Sequence, residues 1–509
     1  MYRNLLSVGG LTAISRVTGF FRDIALSAIM GVGPVADAFV VALKLPNQFR
    51  AIFGEGAFNA AYVPTYSKIL SNDGPGGAKR FASQIYTLLL GSQLLLLALA
   101  YLLMPQLVSL IAPGFDADPQ RFALAVNMTR VTFPYLAFVT LVTLHTATLN
   151  AHGRFAAGAF APVLLNVFIV GFLGIAFAFP NAGIAASWGV FASGAAQLAL
   201  LAAAARRSGL LERLTWPSLN DDVRRFFRAL GPAILGSAGQ QVLIFVDTIL
   251  ASYLPGAVSA MYYAERLYQL PQGVIAIAAA TVLLPEMSRR LAVGDREGAR
   301  SAQNRTIGIT FALSAPFFVY FLAMPEALLR AAFTRGAFDE AAAASSARIL
   351  AAYGLAIFPI VLIRLAGASF QARGDTKTPT LAFFAGLVVN AAMKFALVGR
   401  EGAAGLAIAT AAGAWVNFIL LIVVGMARKW TRPDARLLEN IAISILGCGA
   451  LAWALPTLSE WGARVGHIIG WLSKELSTIC VVALGFLAYG AVAALASLAF
   501  GNSLRRQFL

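Results

Sequence analysis

An all-α polytopic membrane protein is what this sequence predicts, and three observations predict it. The 509-residue chain is 59% hydrophobic and only 12% charged, where soluble domains carry about 25% charged residues. Apolar runs recur at roughly the 20-residue length that crosses a hydrocarbon core, and the mean hydropathy is +0.75. Cations gather in alternate loops, a pattern that reports membrane topology.

Taken in order, the apolar runs number about fourteen. In the first half they fall near 6–31, 34–68, 81–111, 121–150, 157–179 and 183–206. In the second half they fall near 223–253, 258–290, 302–324, 341–371, 379–398 and 403–427, and two more, near 438–457 and 477–500, follow. Several exceed what a bilayer core needs, so tilt, kinks or extension into water is expected. The first run is broken by Arg16 and Arg22 and has no small-residue cleavage site after it, so it reads as a retained helix. Cation-rich loops such as Arg206, Arg207, Arg224, Arg225, Arg289, Arg290, Arg428 and Lys429 share one side. The opposite side holds few cations, among them Arg121, Arg330 and Arg335, mixed with acids. The positive-inside rule then places both termini in the cytoplasm. The net charge of +16 is thereby absorbed by topology, and no nucleic-acid partner is expected. Cys448 and Cys480 have no disulfide or zinc spacing, and His145, His152 and His467 read as ordinary polar residues.

Sliding the chain on itself by about 220 residues exposes an internal repeat. Asp23-x-x-Leu26 meets Asp247-x-x-Leu250, and Leu45-Pro46 meets Leu270-Pro271. Pro64-x-x-Ser67-Lys68 meets Pro285-x-x-Ser288-Arg289, Asn150-Ala-His-Gly153 meets Gln371-Ala-Arg-Gly374, and Asn166 meets Asn390. These matches in order predict two six-helix lobes, 1–208 and 209–430, and a C-terminal helix pair, 431–509, without counterpart. An even number of spans per lobe sets both in one orientation, related by a pseudo-twofold axis along the membrane normal.

The most unusual stretch is 14–64, where Arg16, Arg22, Asp23, Asp37, Lys44, Arg50 and Glu55 interrupt two otherwise apolar runs. Each charge at mid-membrane costs about 2.5–3.5 kcal/mol on insertion scales, so these groups face water, a partner or a ligand. Their excess is cationic, which points to an anion. Arg16 and Arg22 stand about 9 Å apart along a helix and about 120° around it. Lys44, Asn47 and Arg50 form a polar stripe, and Pro46 within it should kink the helix or free a carbonyl. Farther on, Tyr262, Arg266 and Gln269 share one face, with Glu265 beside them. Arginine's planar fork suits phosphate, so Arg22, Arg50 and Arg266 are candidates for holding a diphosphate. The alternatives are snorkelling for Arg16, an ion pair of Arg22 with Asp23 or Asp37, and a buried salt-bridge network for the Lys44 stripe. Asp247 and Lys394, each isolated in apolar sequence, are a candidate ion pair. A phosphate-binding Gly-rich loop and the hydrolase motifs are absent, so the chain reads as a transporter of an anionic substrate and not an enzyme. No cofactor or metal is expected, and dependence on membrane potential or a coupling ion is.

The runs SRVTGFFRD (15–23), DAFVVALKLPNQFRAIFGEGAFNAAYVP (37–64) and YYAERLYQLPQGV (262–274) resemble the MurJ (MviN) lipid II flippase family of bacteria. That family lies in the multidrug/oligosaccharidyl-lipid/polysaccharide exporter superfamily, and the resemblance extends over essentially the whole chain. It implies movement of undecaprenyl-diphosphate disaccharide peptide across the inner membrane, from the cytoplasmic to the periplasmic leaflet, for peptidoglycan synthesis and cell shape. Arg16, Arg22, Arg50 and Arg266 would then bind substrate, and Asp23, Asp37 and Glu55 would line the cavity or its gates. The polar neighbours Lys44, Asn47, Tyr262, Glu265 and Gln269 join that set. The terminal helices would form a groove for the lipid tail. A sodium site found in some members would use Asp247, but Lys394 stands where a neutral or acidic ligand is expected, which favours an ion pair. Partners would be lipid II, membrane lipids and cell-wall synthesis proteins. Three alternatives remain open at this point: a flippase of another polyprenyl-diphosphate oligosaccharide, a drug exporter of the same superfamily, and a membrane glycosyltransferase using Asp37 with Glu55.

Overall fold

The computed structural model describes residues 2–50, 58–469 and 473–499, and among them there are helices and no strand. The chain forms two compact units, Met1–Ser259 and Ala260–Leu509.

The first unit contains α1 (Tyr2–Met30), α2 (Pro34–Arg50), α3 (Phe58–Leu102), α4 (Met104–Ile111), α5 (Pro119–Thr132), α6 (Tyr135–Ala151), α7 (Ala156–Gly174), α8 (Ala182–Arg207) and α9 (Asp221–Ser252), and it ends in the first turn of α10 (Ala257–Pro271). Asp118, Asn181 and Asn220 begin α5, α8 and α9 by accepting backbone N–H groups of the first turn, which satisfies donors that the helix itself leaves open. Apolar burial gives helices little reason to associate inside lipid, so fitted side chains and interhelical hydrogen bonds do that work. Phe58, Tyr62, Tyr66 and Phe81 of α3 form such a seam. Tyr62 and Tyr66 stack at 5.5 Å, and Phe226 of α9 meets the Phe58 ring edge-on at 5.6 Å. Through this seam α9 packs on α3. The compact boundary therefore falls at 259/260, inside α10, whereas the sequence repeat divides at 208/209. The first is a boundary of packing, the second of chain pattern.

The second unit contains the rest of α10, a π-helical turn (Gln272–Ala276), α11 (Ile277–Ala292), α12 (Arg296–Ala323), α13 (Pro325–Phe333), α14 (Glu340–Gly354), α15 (Ile357–Gln371), α16 (Lys377–Ala427), α17 (Ala435–Ile469) and α18 (Ser473–Ala499). Asp295, Asp339 and Asp434 cap the starts of α12, α14 and α17. The C-terminal pair α17 and α18 packs on α12, where Tyr320 Oη donates to Val482 O at 2.8 Å and Tyr489 Oη donates to Ala312 O at 2.9 Å.

Among the described residues ten helices are long and apolar enough to cross a membrane. Helices α1, α2 and α9, which hold the expected spans 6–31 and 223–253 and residues 34–50 of the expected span 34–68, are not among the ten, whereas residues 58–68 begin α3, which is. Polar side chains inside them, including Arg22, Lys44 and Asp247, lower their hydropathy, and α2 is only 17 residues long. Two long helices each cover two expected runs, with non-helical backbone at Gly74 in α3 and Gly402 in α16.

Candidate functional site

The polar residues of the first unit are held by a chain of specific bonds. On α1, Arg22 Nε and Nη2 donate to Asp23 Oδ1 at 3.0 and 2.7 Å. Arg22 Nη1 donates to Asn166 Oδ1 of α7 at 3.0 Å. Asn166 Nδ2 in turn donates to Ser15 O and to Thr18 Oγ1, both at 3.0 Å. Gly19 leaves the room this needs, since a methyl group there would stand 3.5 Å from Asn166 Nδ2. The Arg22 and Asp23 side chains are 11% and 5% exposed. Of the alternatives for Arg22, the ion pair with Asp23 is therefore present, whereas Asp37 bonds elsewhere. Arg16, six residues earlier, is exposed.

Helix α2 carries the next group. Pro46 lies inside a continuous helix. It has no N–H to give the Ala42 carbonyl, and Thr132 Oγ1 of α5 donates to that oxygen at 2.8 Å instead. Of the two expected effects of Pro46, the freed carbonyl is the one seen. Lys44 Nζ donates to Thr248 Oγ1 of α9 at 3.2 Å. Asn47 and Arg50 are half-buried at the end of the same helix, and Glu55 lies outside the described residues.

Asp37, in the first turn of α2, is fully buried. It accepts from Gly256 N at 2.9 Å, Ser259 N at 2.8 Å and Ser259 Oγ at 2.7 Å, and so caps the start of α10. Arg121 Nη1 approaches the same carboxylate at 3.5 Å. Sequence reasoning places Arg121 in a loop among acids; the structure buries it to 4% exposure over the Phe115 ring, where it also donates to Gly114 O and Ser252 O. A buried guanidinium needs several acceptors, and these carbonyls supply them.

In the second unit, the face expected from the spacing of Tyr262, Arg266 and Gln269 is formed. Arg266 Cζ lies 4.5 Å from the centre of the buried Tyr262 ring. Arg266 Nη1 donates to Gln269 Oε1 at 3.1 Å, and Gln269 Nε2 donates to Glu265 Oε1 at 2.8 Å. Gln269 thus relays between cation and carboxylate and fixes the guanidinium over an aromatic face. Asp247 is half-buried on α9 of the first unit, and Lys394 is buried on α16 of the second.

Three participants carry no clear mark in the sequence. Asn166 is recognisable only as a repeat marker, and Arg121 only as an outlying cation. The third is a buried pair: His145 Nδ1 and Glu212 Oε2 are 2.7 Å apart, 2% and 0% exposed, and Thr148 Oγ1 donates to Glu212 Oε1 at 3.0 Å. Among the described residues no cluster of three or more His, Cys, Asp or Glu side chains is arranged to hold a metal. Guanidinium and amide donors of this kind are chemically suited to meeting an anion.

Comparison with known proteins bears on which anion. A family model described as "Lipid II flippase MurJ" matches residues 26–469. A "Probable lipid II flippase MurJ" of Rhizobium meliloti (strain 1021) is 38% identical over 501 residues, covering 97% of this chain and 93% of the relative. A "Lipid II flippase MurJ" of Burkholderia cenocepacia is 30% identical over 502 residues, covering 97% and 96%. Among solved structures, one titled "Lipid II flippase MurJ, inward closed conformation" aligns with a TM-score of 0.81 at 22% identity, over 97% of this chain and 99% of that one. An inward-facing multidrug resistance MATE transporter of the MOP superfamily aligns at 0.66 and 16% identity, over 83% and 97%. At these identities the two structures speak for the fold alone.

Proposed function

The chain belongs to the lipid II flippase MurJ family, and from that premise we propose a mechanism in which cationic side chains engage the lipid's diphosphate while helices rearrange around it. The protein is a lipid II flippase of the MOP superfamily, a multi-pass membrane transporter and not an enzyme. Its place is the bacterial inner membrane with both termini cytoplasmic, a reading supported by the alternation of cationic loops.

Arg16, Arg22, Arg50 and Arg266 are the residues assigned to the diphosphate. The observation that carries this is the pre-orientation of two of them, Arg22 by Asp23 and Asn166, and Arg266 by Tyr262 and Gln269. A guanidinium already held loses little freedom on meeting phosphate. Asp23, Asp37, Lys44, Asn47, Glu55, Tyr262, Glu265 and Gln269 line or gate the path. Asp247 and Lys394 remain the candidate ion pair. The C-terminal pair α17 and α18 takes the polyprenyl tail.

Substrate shifts a conformational equilibrium only by binding its states unequally. Crowded cations repel one another until an anion neutralises them, so the diphosphate favours the state that draws them together. Return of the empty, cationic carrier is assisted by the membrane potential, at about 2.3 kcal/mol per charge per 100 mV. No cofactor is required, and cell-wall synthesis proteins are the partners that supply and consume the lipid.

The test is translocation of labelled lipid II in proteoliposomes. Arg22→Ala and Arg266→Ala should each lower the rate by at least about tenfold, the scale of a lost charge-assisted bond, and should fail to support growth of a depleted strain. Wild-type rates in both variants would remove these residues from the site. Chemical conversion of the lipid, in place of movement, would favour a transferase.

A further inference from the structure

A polar cavity lies wholly within the second unit, where the starts of α12 and α17 meet. Its volume is about 220 Å³, and Arg290, Arg305, Arg436, Asn304 and Asp434 help to line it. Room for roughly seven waters suffices for a phosphate with a three-carbon polyol. Arg290 is committed to its own element, with Nε on Glu286 at 2.7 Å and Nη1 on Asp295 at 3.2 Å. Among the described residues neither Arg305 nor Arg436 has a carboxylate within ion-pair distance. Asp434 is occupied in capping α17 through Leu437 N at 2.8 Å.

Cationic loops at a membrane surface normally need no ligand, because their charges are solvated. What sets this place apart is Asn304. It is 4% exposed, its Nδ2 donates to Arg432 O at 2.8 Å, and its Oδ1 is buried with no donor among the described residues. A buried acceptor of this kind calls for a donor. The cavity therefore fits a ligand carrying both an anion and a hydroxyl. Directly beyond Arg436, α17 turns apolar toward its surroundings: Leu438 and Ile445, seven residues apart and so near one helical face, are each 59% exposed.

We propose that this cavity binds the phosphodiester headgroup of an anionic glycerophospholipid. The phosphate of phosphatidylglycerol meets Arg305 and Arg436, its glycerol hydroxyl donates to Asn304 Oδ1, and an acyl chain follows α17 past Leu438 and Ile445. The inference needs only that the chain is embedded in a bilayer, not that it moves lipid II.

The experiment is native mass spectrometry of the full chain released from nanodiscs, offered phosphatidylglycerol, phosphatidylcholine or inorganic phosphate. The wild type should retain phosphatidylglycerol over phosphatidylcholine. Arg305→Gln with Arg436→Gln should weaken retention by on the order of ten- to thirtyfold, the scale of two interfacial cations. A control of equal charge change at exposed cations away from the cavity, Arg206→Gln with Lys377→Gln, should leave it within about twofold. Asn304→Leu should erase any preference for phosphatidylglycerol over phosphatidic acid, which lacks the hydroxyl. An equal loss in the control would reduce the effect to general surface charge and overturn the proposal. So would unchanged retention in the cavity double variant, or inorganic phosphate displacing the lipid as well as short-chain phosphatidylglycerol does. Lipid II translocation by the same variants is a separate readout, so failure here leaves the transport reading standing.

Discussion

The turn that follows α6 and the turn that follows α15 are built on one backbone plan and put to different use. After α6, Gly153 has φ +73°, its N–H bonds Asn150 O, and Arg154 N–H bonds Leu149 O. After α15, Gly374 has φ +77°, its N–H bonds Gln371 O, and Asp375 N–H bonds Phe370 O. Both are Schellman closures, which need a residue at positive φ that glycine supplies without strain. The side chains then part company. In the first unit His152 Nε2 lies 2.9 Å from Tyr66 Oη, and nearby His145, Thr148 and Glu212 form a buried network. In the second, Arg373 and Arg428 lie over the Trp430 ring at 5.2 and 4.9 Å, and Arg428 pairs with Asp375 at the surface. Burial and the like charges of Arg300 and Arg296 hold the Arg373 guanidinium below its usual pKa. The two turns share a backbone path and differ in chemistry, sealed at the first and open to charge at the second.

That contrast is broken most readily at Glu212. Glu212→Ala leaves His145 and Thr148 buried without their acceptor, and stability in detergent should fall by about 3–5 kcal/mol. Replacing Asp375 by Ala at the surface should cost far less; equal losses would show that the two networks do not differ in kind. The turns themselves should respond alike. Gly153→Ala and Gly374→Ala each place a Cβ at positive φ and should each cost about 1–2 kcal/mol in thermal unfolding. A smaller effect comes from a further pair of turns. After α8 the positive φ belongs to Gly209, +70°, whereas after α16 it belongs to Lys429, +58°. Lys429→Gly should stabilise by about 0.5 kcal/mol, strain relieved less the added freedom of the unfolded chain, and Gly209→Lys should do the reverse. The smallest effect is one of pH. Bonds from Thr378 and Arg428 hold the Asp375 carboxyl down at about 2. A carboxylate whose folded pKa is depressed stabilises above its unfolded pKa, near 3.9, and loses that contribution as pH falls toward 2. Asp375→Asn should flatten that part of the pH–stability curve, and an unchanged curve would remove Asp375 as its source.

How far the site could be read from sequence follows from the distance over which its parts interact. Tyr262, Arg266 and Gln269 are joined by helical spacing alone, so their face was legible. So was the likeness of the turns at Gly153 and Gly374, because positive φ is a local backbone demand. Pro46 announced a kink or a freed carbonyl, but nothing nearby chose between them or named Thr132, 90 residues on from Ala42, as the donor. Asn166 reaches Arg22 across 144 positions, and Glu212, in the polar stretch RRSGLLERLTWPS, reads as solvated until the fold buries it against His145. Arg121 was legible as a charge but not as a buried one, since its acceptors are backbone carbonyls that any sequence would offer. Glu55 lies outside the described residues, so only its motif speaks for it.

The bond from Thr132 to Ala42 has a mechanical consequence. An unbroken helix can slide or twist past its neighbour because its carbonyls are already engaged inside it. At Ala42 that self-sufficiency is missing, and the vacancy is filled from α5 at a site closed to water. Any stroke that pulled α2 away from α5 would leave a bare carbonyl in a place with nothing to replace the hydroxyl. That loss, about 1–3 kcal/mol for an unmet buried acceptor, favours α2 and α5 travelling together through a transport cycle.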